Sequence, residues 1–191
     1  MRSIRLGTSD LAVPPLAVGT ANFGTQVEAQ AAYRILDASF DAGATFVDTA
    51  NNYAFWADGG TGDEAESVLG GWLAARPGVR DRVTLATKVG ARPRPGGHGF
   101  GETLGLSATA IRAQVEDSLR RLRTDRVELL YAHIDDTGTP LAETVGALQE
   151  EVRRGTARAI GCSNITAPRL FTALQVAGSG PRYVAVQQRF T

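Results

Sequence analysis

The chain has 191 residues, a formal net charge of zero and 43% hydrophobic residues, values typical of a globular domain with one sizeable core. This charge balance gives no reason to expect nucleic acid or a membrane surface as a partner, and no apolar run is long enough to span a bilayer. Cys162 is the only cysteine, which excludes an internal disulfide and a cysteine-based metal site. We therefore expect a cytoplasmic protein without a metal ion.

Short apolar runs alternate with longer amphipathic segments along the chain. Residues 2–13 are predicted to form a hairpin that would plug the lower end of a barrel. Strands are then predicted at 16–19, 45–49, 83–89, 127–133, 158–162 and 183–188. Apolar residues at helical spacing predict intervening helices at 27–42, 63–75, 107–122, 140–154 and 166–178.

Local signals support several of these helix ends. Ser107, Thr139-Pro140 and Thr166 precede the last three predicted helices, and residues of these types favour helix starts. Gly43 and Gly155 follow two helices, where glycine commonly ends a helix. Strands that alternate with helices in this way indicate parallel βαβ units.

Two parallel architectures fit this alternation, an open doubly wound sheet and a (β/α)8 barrel. The turn after the first strand, residues 19–24, lacks the glycine fingerprint of dinucleotide-binding open sheets. Polar residues gather instead at the C-terminal ends of successive strands, where barrel enzymes carry their active sites. We therefore predict one α/β domain over residues 1–191, with a (β/α)8 TIM-barrel architecture. The barrel is incomplete, because about six of its eight strands and five of its eight helices are found.

Four polar residues define the candidate catalytic site. Asp48, Lys88 and His133 each end a predicted strand, and Tyr53 follows Asp48 in a loop, so a barrel would gather them at one mouth. Lys88 is the only lysine among 20 lysines and arginines. Because a lysine pKa moves readily and an arginine stays charged, this exception indicates a site where a guanidinium cannot serve.

These groups suit the reduction of a carbonyl, which needs a hydride on carbon and a proton on oxygen. The Lys88 ammonium is expected to lower the pKa of Tyr53 and make it a better proton donor, while Asp48 fixes Lys88. His133 would orient the carbonyl oxygen by hydrogen bonding. None of these side chains carries a hydride, so a cofactor must supply it.

The loops at this mouth are expected to select the substrate, a small carbonyl compound. They are residues 20–26, 53–62 and the Gly/Pro-rich segment 90–106, for which a solvated irregular loop is the simpler interpretation. His98 in that segment is expected to be solvated. The aromatic residues Phe23, Phe55 and Trp56 fit either an aromatic-lined pocket or ordinary core packing.

The sequence resembles the aldo-keto reductase superfamily over nearly its whole length. The motifs that carry this resemblance are Gly19-Thr20-x-x-Phe23-Gly24, Gly43-Ala44-Thr45-Phe46-Val47-Asp48-Thr49-Ala50-Asn51-Asn52-Tyr53, Glu66-Ser67-Val68-Leu69-Gly70, Ala86-Thr87-Lys88-Val89-Gly90, Ser118-Leu119-Arg120-Arg121-Leu122 leading to His133, Ile160-Gly161-Cys162-Ser163-Asn164 and Val186-Gln187-Gln188-Arg189-Phe190. The resemblance implies a (β/α)8 barrel that uses NADPH to reduce an aldehyde or ketone to an alcohol.

The resemblance also implies a role for each site residue. Tyr53 would be the proton donor, supported by Asp48, Lys88 and His133. The implied cofactor-binding residues are Gly19, Thr20, Asp48, Ser163, Asn164 and Gln187, of which the last three would hold the nicotinamide carboxamide.

This sequence departs from the family pattern at several points. Ala54 stands where glycine commonly follows the tyrosine, Thr156 replaces a usual lysine and Ile165 a usual aromatic residue. The family continues through two more strands, which carry most of the grip on the adenosine 2′-phosphate, so the adenosine end of the cofactor site is expected to be deficient.

Several interpretations of the open barrel remain at this point. The chain is a fragment of a longer reductase, or a short relative that forms a homodimer over its open edge. Alternatively, it has lost tight cofactor binding and acts as a cofactor-independent isomerase or cyclase, or as a non-catalytic subunit. The intact catalytic residues argue against the last of these.

Overall fold

The computed structural model describes residues 2–97 and 101–189, so His98 lies outside the described residues. An antiparallel hairpin is followed by strands that alternate with five α-helices. In chain order the elements are β1 (Ile4–Arg5), β2 (Ala12–Val13), β3 (Ala17–Gly19), α1 (Ala29–Asp41), β4 (Phe46–Asp48), α2 (Glu64–Ala74), β5 (Thr84–Val89), α3 (Ala108–Leu122), β6 (Val127–Ala132), α4 (Leu141–Arg153), β7 (Ala157–Ser163), α5 (Ala167–Val176) and β8 (Tyr183–Gln187).

The six strands β3 to β8 form one parallel sheet in which sequence order is also spatial order. The sheet curls into a half-barrel, which confirms the predicted incomplete TIM-barrel. All residues of β6 are buried, whereas β3 and β8 at the two edges are partly exposed. The central strand β6 is therefore more deeply buried than the two edge strands.

The predicted helix ends are mostly confirmed. The Ser107 hydroxyl accepts a hydrogen bond from the Ala110 amide at 3.3 Å, and Thr166 caps α5 in the same way. Gly43 and Gly155 have φ of +85° and +76°, which suits their positions after α1 and α4.

α4 begins at Leu141, directly after Thr139-Pro140 as predicted, but it has no side-chain cap. Pro140 occupies the N-cap position and has no capping side chain, while the Thr139 hydroxyl donates to Asp136 at 2.7 Å. A carboxylate from the preceding loop therefore competes successfully for the hydroxyl that was expected to start the helix.

The N-terminal hairpin closes the lower end of the half-barrel, as predicted. Leu11 belongs to an interior apolar cluster with Ala86, Leu129 and Ala159, and Leu6 packs against it. The interior face of the sheet is thus apolar below and becomes polar only towards the C-terminal strand ends. The polar side chains of the interior face therefore gather at the C-terminal ends of the strands.

The outer surface retains exposed apolar side chains near the last strand. Phe171 on α5 is 63% exposed and Val186 on β8 is 45% exposed. Association of two copies through this open side stays a prediction. None of the helices in the described part of the chain is long and apolar enough to cross a membrane.

Two mid-helix glycines allow a matched test of the helix packing. A Cβ at Gly70 in α2 would lie 2.1 Å from the Arg121 carbonyl oxygen of α3, whereas a Cβ at Gly146 in α4 meets nothing within 4 Å. We expect Gly70→Ala to lower the free energy of unfolding by about 1–3 kcal/mol through overpacking. Gly146→Ala should raise it by up to about 1 kcal/mol.

Urea unfolding of the two variants measures both effects. Equal changes in the two proteins would contradict a close α2–α3 crossing at Gly70.

Candidate active site

The sheet brings the four predicted catalytic residues to one end of the half-barrel. Asp48 is the last residue of β4, Lys88 lies next to the end of β5, and His133 follows β6 directly. Tyr53 reaches the same place from the loop after β4, where its hydroxyl donates to Asp48 Oδ2 at 3.3 Å. The convergence expected from the strand ends is therefore present.

Lys88 forms the centre of this cluster. Its Nζ lies 2.7 Å from each carboxylate oxygen of Asp48, 2.7 Å from Tyr53 Oη and 2.9 Å from the Thr49 carbonyl oxygen. Nζ also lies 4.7 Å from the centre of the Tyr53 ring, within cation–π range. The side chain is fully buried, so a larger planar guanidinium would have to displace several of these partners.

Burial and charge act in opposite directions on Lys88. Removal of the ammonium from water lowers its pKa below the ordinary value, and the Asp48 carboxylate partly offsets this effect. The distances favour the charged form, since the carboxylate, a carbonyl and a phenol oxygen all accept from Nζ.

The pKa of Tyr53 differs from the expectation. Burial raises it above its ordinary value, and the negative charge of Asp48 raises it further. The prediction of a downward shift is therefore wrong for this structure, because desolvation and the Asp48 carboxylate both act to raise the pKa of Tyr53. Tyr53 is held protonated, which is the state a proton donor requires.

His133 is held in its neutral form. Burial, followed by the Lys88 charge, lowers its pKa to about 3. Its ring centre lies 5.9 Å from that of Tyr53, and its Nδ1 has no hydrogen-bond partner among the described residues. A neutral imidazole beside the phenol still has an N–H with which to bind a carbonyl oxygen.

The three residues expected at a carboxamide lie together at the ends of β7 and β8. Ser163 Oγ donates to the Gln187 carbonyl oxygen at 2.9 Å, and Asn164 Nδ2 donates to the His133 carbonyl oxygen at 2.8 Å. Gln187 Nε2 donates to Asp48 Oδ2 at 3.2 Å. The amide-rich group is thus joined directly to the Lys88 cluster.

The two remaining predicted cofactor residues lie at the end of β3 and just beyond it. Gly19 pairs with Asp48 across the sheet, and a Cβ added there would meet nothing within 4 Å, so the space beside it is open. Thr20 is fully buried and its hydroxyl donates to the Asp48 carbonyl oxygen at 3.1 Å. Thr20 therefore positions the end of β4, and its side chain is already occupied.

Tyr131 is a neighbour of the site that was not predicted. It lies opposite both Lys88 and Gly161 in the sheet, with its ring centre 5.9 Å from Lys88 Nζ. A Cβ at Gly161 would lie 2.6 Å from this ring, so the glycine makes room for it. The alternation of side chains along β6 could have revealed it, because Leu129 and Tyr131 share the interior face.

The aromatic residues expected near the substrate divide into two groups. Phe23 is 4% exposed and packs in the main core, so of the two alternatives core packing holds for this residue. Trp56 is exposed, and its ring centre lies 6.2 Å from that of Tyr53. Within residues 2–97 and 101–189, no cluster of three His, Cys, Asp or Glu side chains could hold a metal ion.

Ala54, which departs from the family pattern, adopts an unusual backbone conformation. Its φ is +70°, a left-handed conformation that glycine adopts more easily, which accounts for the usual glycine after the tyrosine. The loop that carries Tyr53 therefore contains a strained residue beside the site.

The titration of His133 follows from its burial. We expect the imidazole signals of His133 to stay constant in NMR spectra between pH 5 and 8, because its pKa of about 3 lies well below this range. The sequence has two histidines, so His98→Gln leaves one imidazole to observe.

The same shift predicts a pH-dependent stability. The unfolded histidine, with a pKa near 6.5, binds its proton more readily than the folded one, so stability falls as the pH drops below about 6.5. His133→Asn should reduce this slope by at most about 1.4 kcal/mol per pH unit. An unchanged slope would contradict a neutral, buried His133.

Replacement of one partner tests the contribution of the buried Lys88–Asp48 ion pair to stability. Lys88→Met leaves the Asp48 carboxylate buried without its cation, and we expect the free energy of unfolding to fall by about 3–5 kcal/mol. Adding Asp48→Asn should recover part of this loss. The exposed pair Arg112–Glu116 provides a control, since Arg112→Met should change stability by about 0.5 kcal/mol or less. Equal losses at both sites would contradict the buried pair.

Comparisons with known proteins agree with this geometry. The model of the family described as the Aldo/keto reductase family matches residues 15–191. Over 168 residues the chain is 39% identical to the uncharacterized oxidoreductase YrpG of Bacillus subtilis (strain 168), which covers 88% of this chain and 51% of that protein. Over 163 residues it is 37% identical to 6-dehydroglucose reductase of Novosphingobium aromaticivorans, which covers 85% and 51%.

A solved structure extends the similarity to three dimensions. The chain matches the aldo-keto reductase AKR11C1 from Bacillus halodurans (holo form) with a TM-score of 0.83 and 31% sequence identity. The match covers 100% of this chain and 58% of that one. The chain spans about half the length of the two curated relatives named above.

Proposed function

The chain belongs to the aldo/keto reductase family, and on this premise we propose that it is an NADPH-dependent oxidoreductase that reduces an aldehyde or ketone to the alcohol. The observation that carries the proposal is the position of Lys88 Nζ, 2.7 Å from both Asp48 and Tyr53 Oη. A buried ammonium between a carboxylate and a phenol is the arrangement that carbonyl protonation needs. One relative is named 6-dehydroglucose reductase, which supports the reaction class.

The residues present fit the nicotinamide end of such a cofactor. Ser163, Asn164 and Gln187 offer hydroxyl and amide groups that complement a carboxamide, and the space beside Gly19 is open. Asn164 has φ of +53°, a conformation held by the hydrogen bond of its side chain to the His133 carbonyl oxygen. When bound, NADPH would supply the hydride for the carbonyl carbon.

Tyr53 supplies the proton in this proposal. Its pKa is raised by burial, so the hydroxyl keeps its proton until a carbonyl oxygen gains negative charge nearby. As the proton leaves, the Lys88 ammonium at 2.7 Å stabilises the phenolate oxygen. Asp48 keeps Lys88 in place through both carboxylate oxygens.

His133 positions the substrate rather than transferring the proton. A pKa of about 3 keeps it neutral, so it would bind the carbonyl oxygen through a ring N–H without competing with Tyr53 as an acid. The two rings are in T-shaped contact with centres 5.9 Å apart, so the phenol and the imidazole lie side by side in the site.

The proton donor gives the decisive test. Tyr53→Phe should lower kcat for NADPH-dependent reduction of an aldehyde by about 10²–10⁴-fold, because it removes the proton donor and keeps the ring. NADPH oxidation measured by absorbance reports the rate, and a direct NADPH titration should show unchanged affinity. Tyr33→Phe on α1 is the matched control and should keep full activity.

Three results would contradict the proposal. They are failure of the 191-residue chain to bind NADPH, full activity of Tyr53→Phe, and turnover without any nicotinamide. The last would favour the isomerase or cyclase alternative.

A further inference from the structure

Arg92 lies just beyond the end of β5 and reaches across to the Tyr53 loop, residues 49–63. Its Nη1 donates to the Asn51 carbonyl oxygen at 2.7 Å, and its Nη2 donates to the Thr61 carbonyl oxygen at 3.2 Å. Asn51 lies near the start of this loop, whereas Thr61 lies near its far end, close to α2. One guanidinium therefore joins the two ends of the segment that carries the proposed proton donor.

The same end of β5 holds the start of the Tyr53 loop by further hydrogen bonds. The Asn51 amide donates to the Lys88 carbonyl oxygen at 3.1 Å. Asn52 Nδ2 donates to the Ala91 carbonyl oxygen, also at 3.1 Å. Lys88 Nζ itself lies 2.7 Å from Tyr53 Oη. The end of β5 thus supplies both the ammonium that contacts the phenol and the groups that fix the backbone beside that phenol.

Arg92 belongs to a network of charges that returns to β5. Its Nη1 also donates to Asp63 Oδ1 at 2.6 Å, and this carboxylate lies 3.1 Å from Arg121 Nη1 of α3. Arg121 Nε donates to Glu66 Oε2 at 2.8 Å. Glu66 is fully buried, and its other carboxylate oxygen accepts from Thr87 Oγ1 of β5 at 2.6 Å. The two cations balance the two carboxylates, and a network of this kind holds its geometry better than an isolated surface pair.

A strained residue beside Tyr53 gives a reason for holding this loop at both ends. Ala54 has φ of +70°, a conformation that costs free energy for any residue with a Cβ. Such conformations persist only where the surrounding structure holds them. The hydrogen bonds of Arg92 to the two ends of the loop meet this requirement without contacting the phenol.

We propose that Arg92 is a positioning residue, which keeps Tyr53 Oη next to Lys88 Nζ by clamping both ends of the Tyr53 loop. The inference rests on the proposed function and adds to it a residue outside the reacting groups. A displacement of about 1 Å in an active site can lower a rate about 10²-fold. The guanidinium is required, because a lysine ammonium is too compact to reach three acceptors at both ends of the loop.

Steady-state kinetics separates positioning from stability. Arg92→Ala should lower kcat for the NADPH-dependent reduction of benzaldehyde by about 10–10²-fold, while a direct titration shows unchanged affinity for NADPH.

Arg76→Ala is the matched control for Arg92→Ala. The exposed fractions of the Arg76 and Asp37 side chains are 26% and 41%, and those of Arg92 and Asp63 are 23% and 44%, but Arg76 joins the end of α2 to α1. Arg76→Ala should therefore lose similar stability in urea unfolding and keep its kcat. Equal losses of kcat in the two variants, or an unchanged kcat in Arg92→Ala, overturn the inference.

Chemical rescue gives a readout that a general loss of structure would not produce. Arg92 is partly exposed, so a guanidinium ion can enter the space that its side chain leaves in Arg92→Ala. Millimolar guanidinium chloride, far below denaturing concentrations, should restore part of kcat in this variant, and an equal concentration of sodium chloride should not. Full activity of Arg92→Lys, or no rescue by guanidinium, contradicts the clamp.

The strain at Ala54 allows a double-mutant test. Ala54→Gly removes the cost of the positive φ, so it should raise kcat of Arg92→Ala about fivefold and change that of the unaltered protein much less. Equal effects in the two backgrounds would show that Arg92 and Ala54 are independent, against the inference.

NMR spectroscopy tests the position of Tyr53 without requiring turnover. In the His98→Gln background the remaining imidazole is that of His133, whose ring centre lies 5.9 Å from that of Tyr53. Arg92→Ala should shift the imidazole signals, because the phenol ring moves relative to them, and Arg76→Ala should leave them in place. Unshifted signals in Arg92→Ala overturn the inference. If the unaltered protein reduces no aldehyde, the proposed function fails, and this measurement still decides whether Arg92 positions Tyr53.

Discussion

The buried ion pair between Lys88 and Asp48 is the interaction around which the site is organised. Each ion costs several kcal/mol to remove from water, and this cost is offset only when the partners are close and fully hydrogen-bonded. The pairing of β4 with β5 provides this closeness, because Asp48 lies opposite Ala86 and Lys88 follows two residues later on the same face. A slip of one residue would turn Lys88 out of the half-barrel and leave Asp48 buried alone. The strand register therefore brings the two charges together, and the ion pair in turn favours this register over a shifted one.

Burial sets the protonation states of the other two titratable groups beside Lys88 in a consistent way. The same loss of solvent lowers the pKa of His133 and raises that of Tyr53, so the imidazole is neutral and the phenol is protonated. The predicted downward shift of the Tyr53 pKa treated the ammonium as the dominant effect and neglected desolvation. With desolvation and the Asp48 charge included, the pKa of Tyr53 rises and the phenol retains its proton.

The sequence predicted those features that depend on local patterns. Strand order, the positions of Asp48, Lys88 and His133 at strand ends, and the caps at Ser107 and Thr166 all follow from periodicity and residue type. Features that depend on distant contacts were not predictable in this way. Gln187 reaches Asp48 across 139 positions of sequence, Tyr131 depends on the space at Gly161, and Phe23 packs in the core. An aromatic residue in a loop carries no local signal that separates a pocket wall from a core residue.

The two halves of the site differ in how firmly the fold supports them. The half around Lys88 rests on β4, β5 and β6, whose residues are mostly buried, whereas Gln187 lies on the edge strand β8, which is only partly covered. A bulge where β7 meets β8 pairs Ile160 with Tyr183 and Gly161 with Ala185, and this shift places Gln187 beside Ser163. Regions with few buried contacts open at lower free energy. The group formed by Ser163, Asn164 and Gln187 is therefore less firmly supported by the fold than the Lys88 cluster.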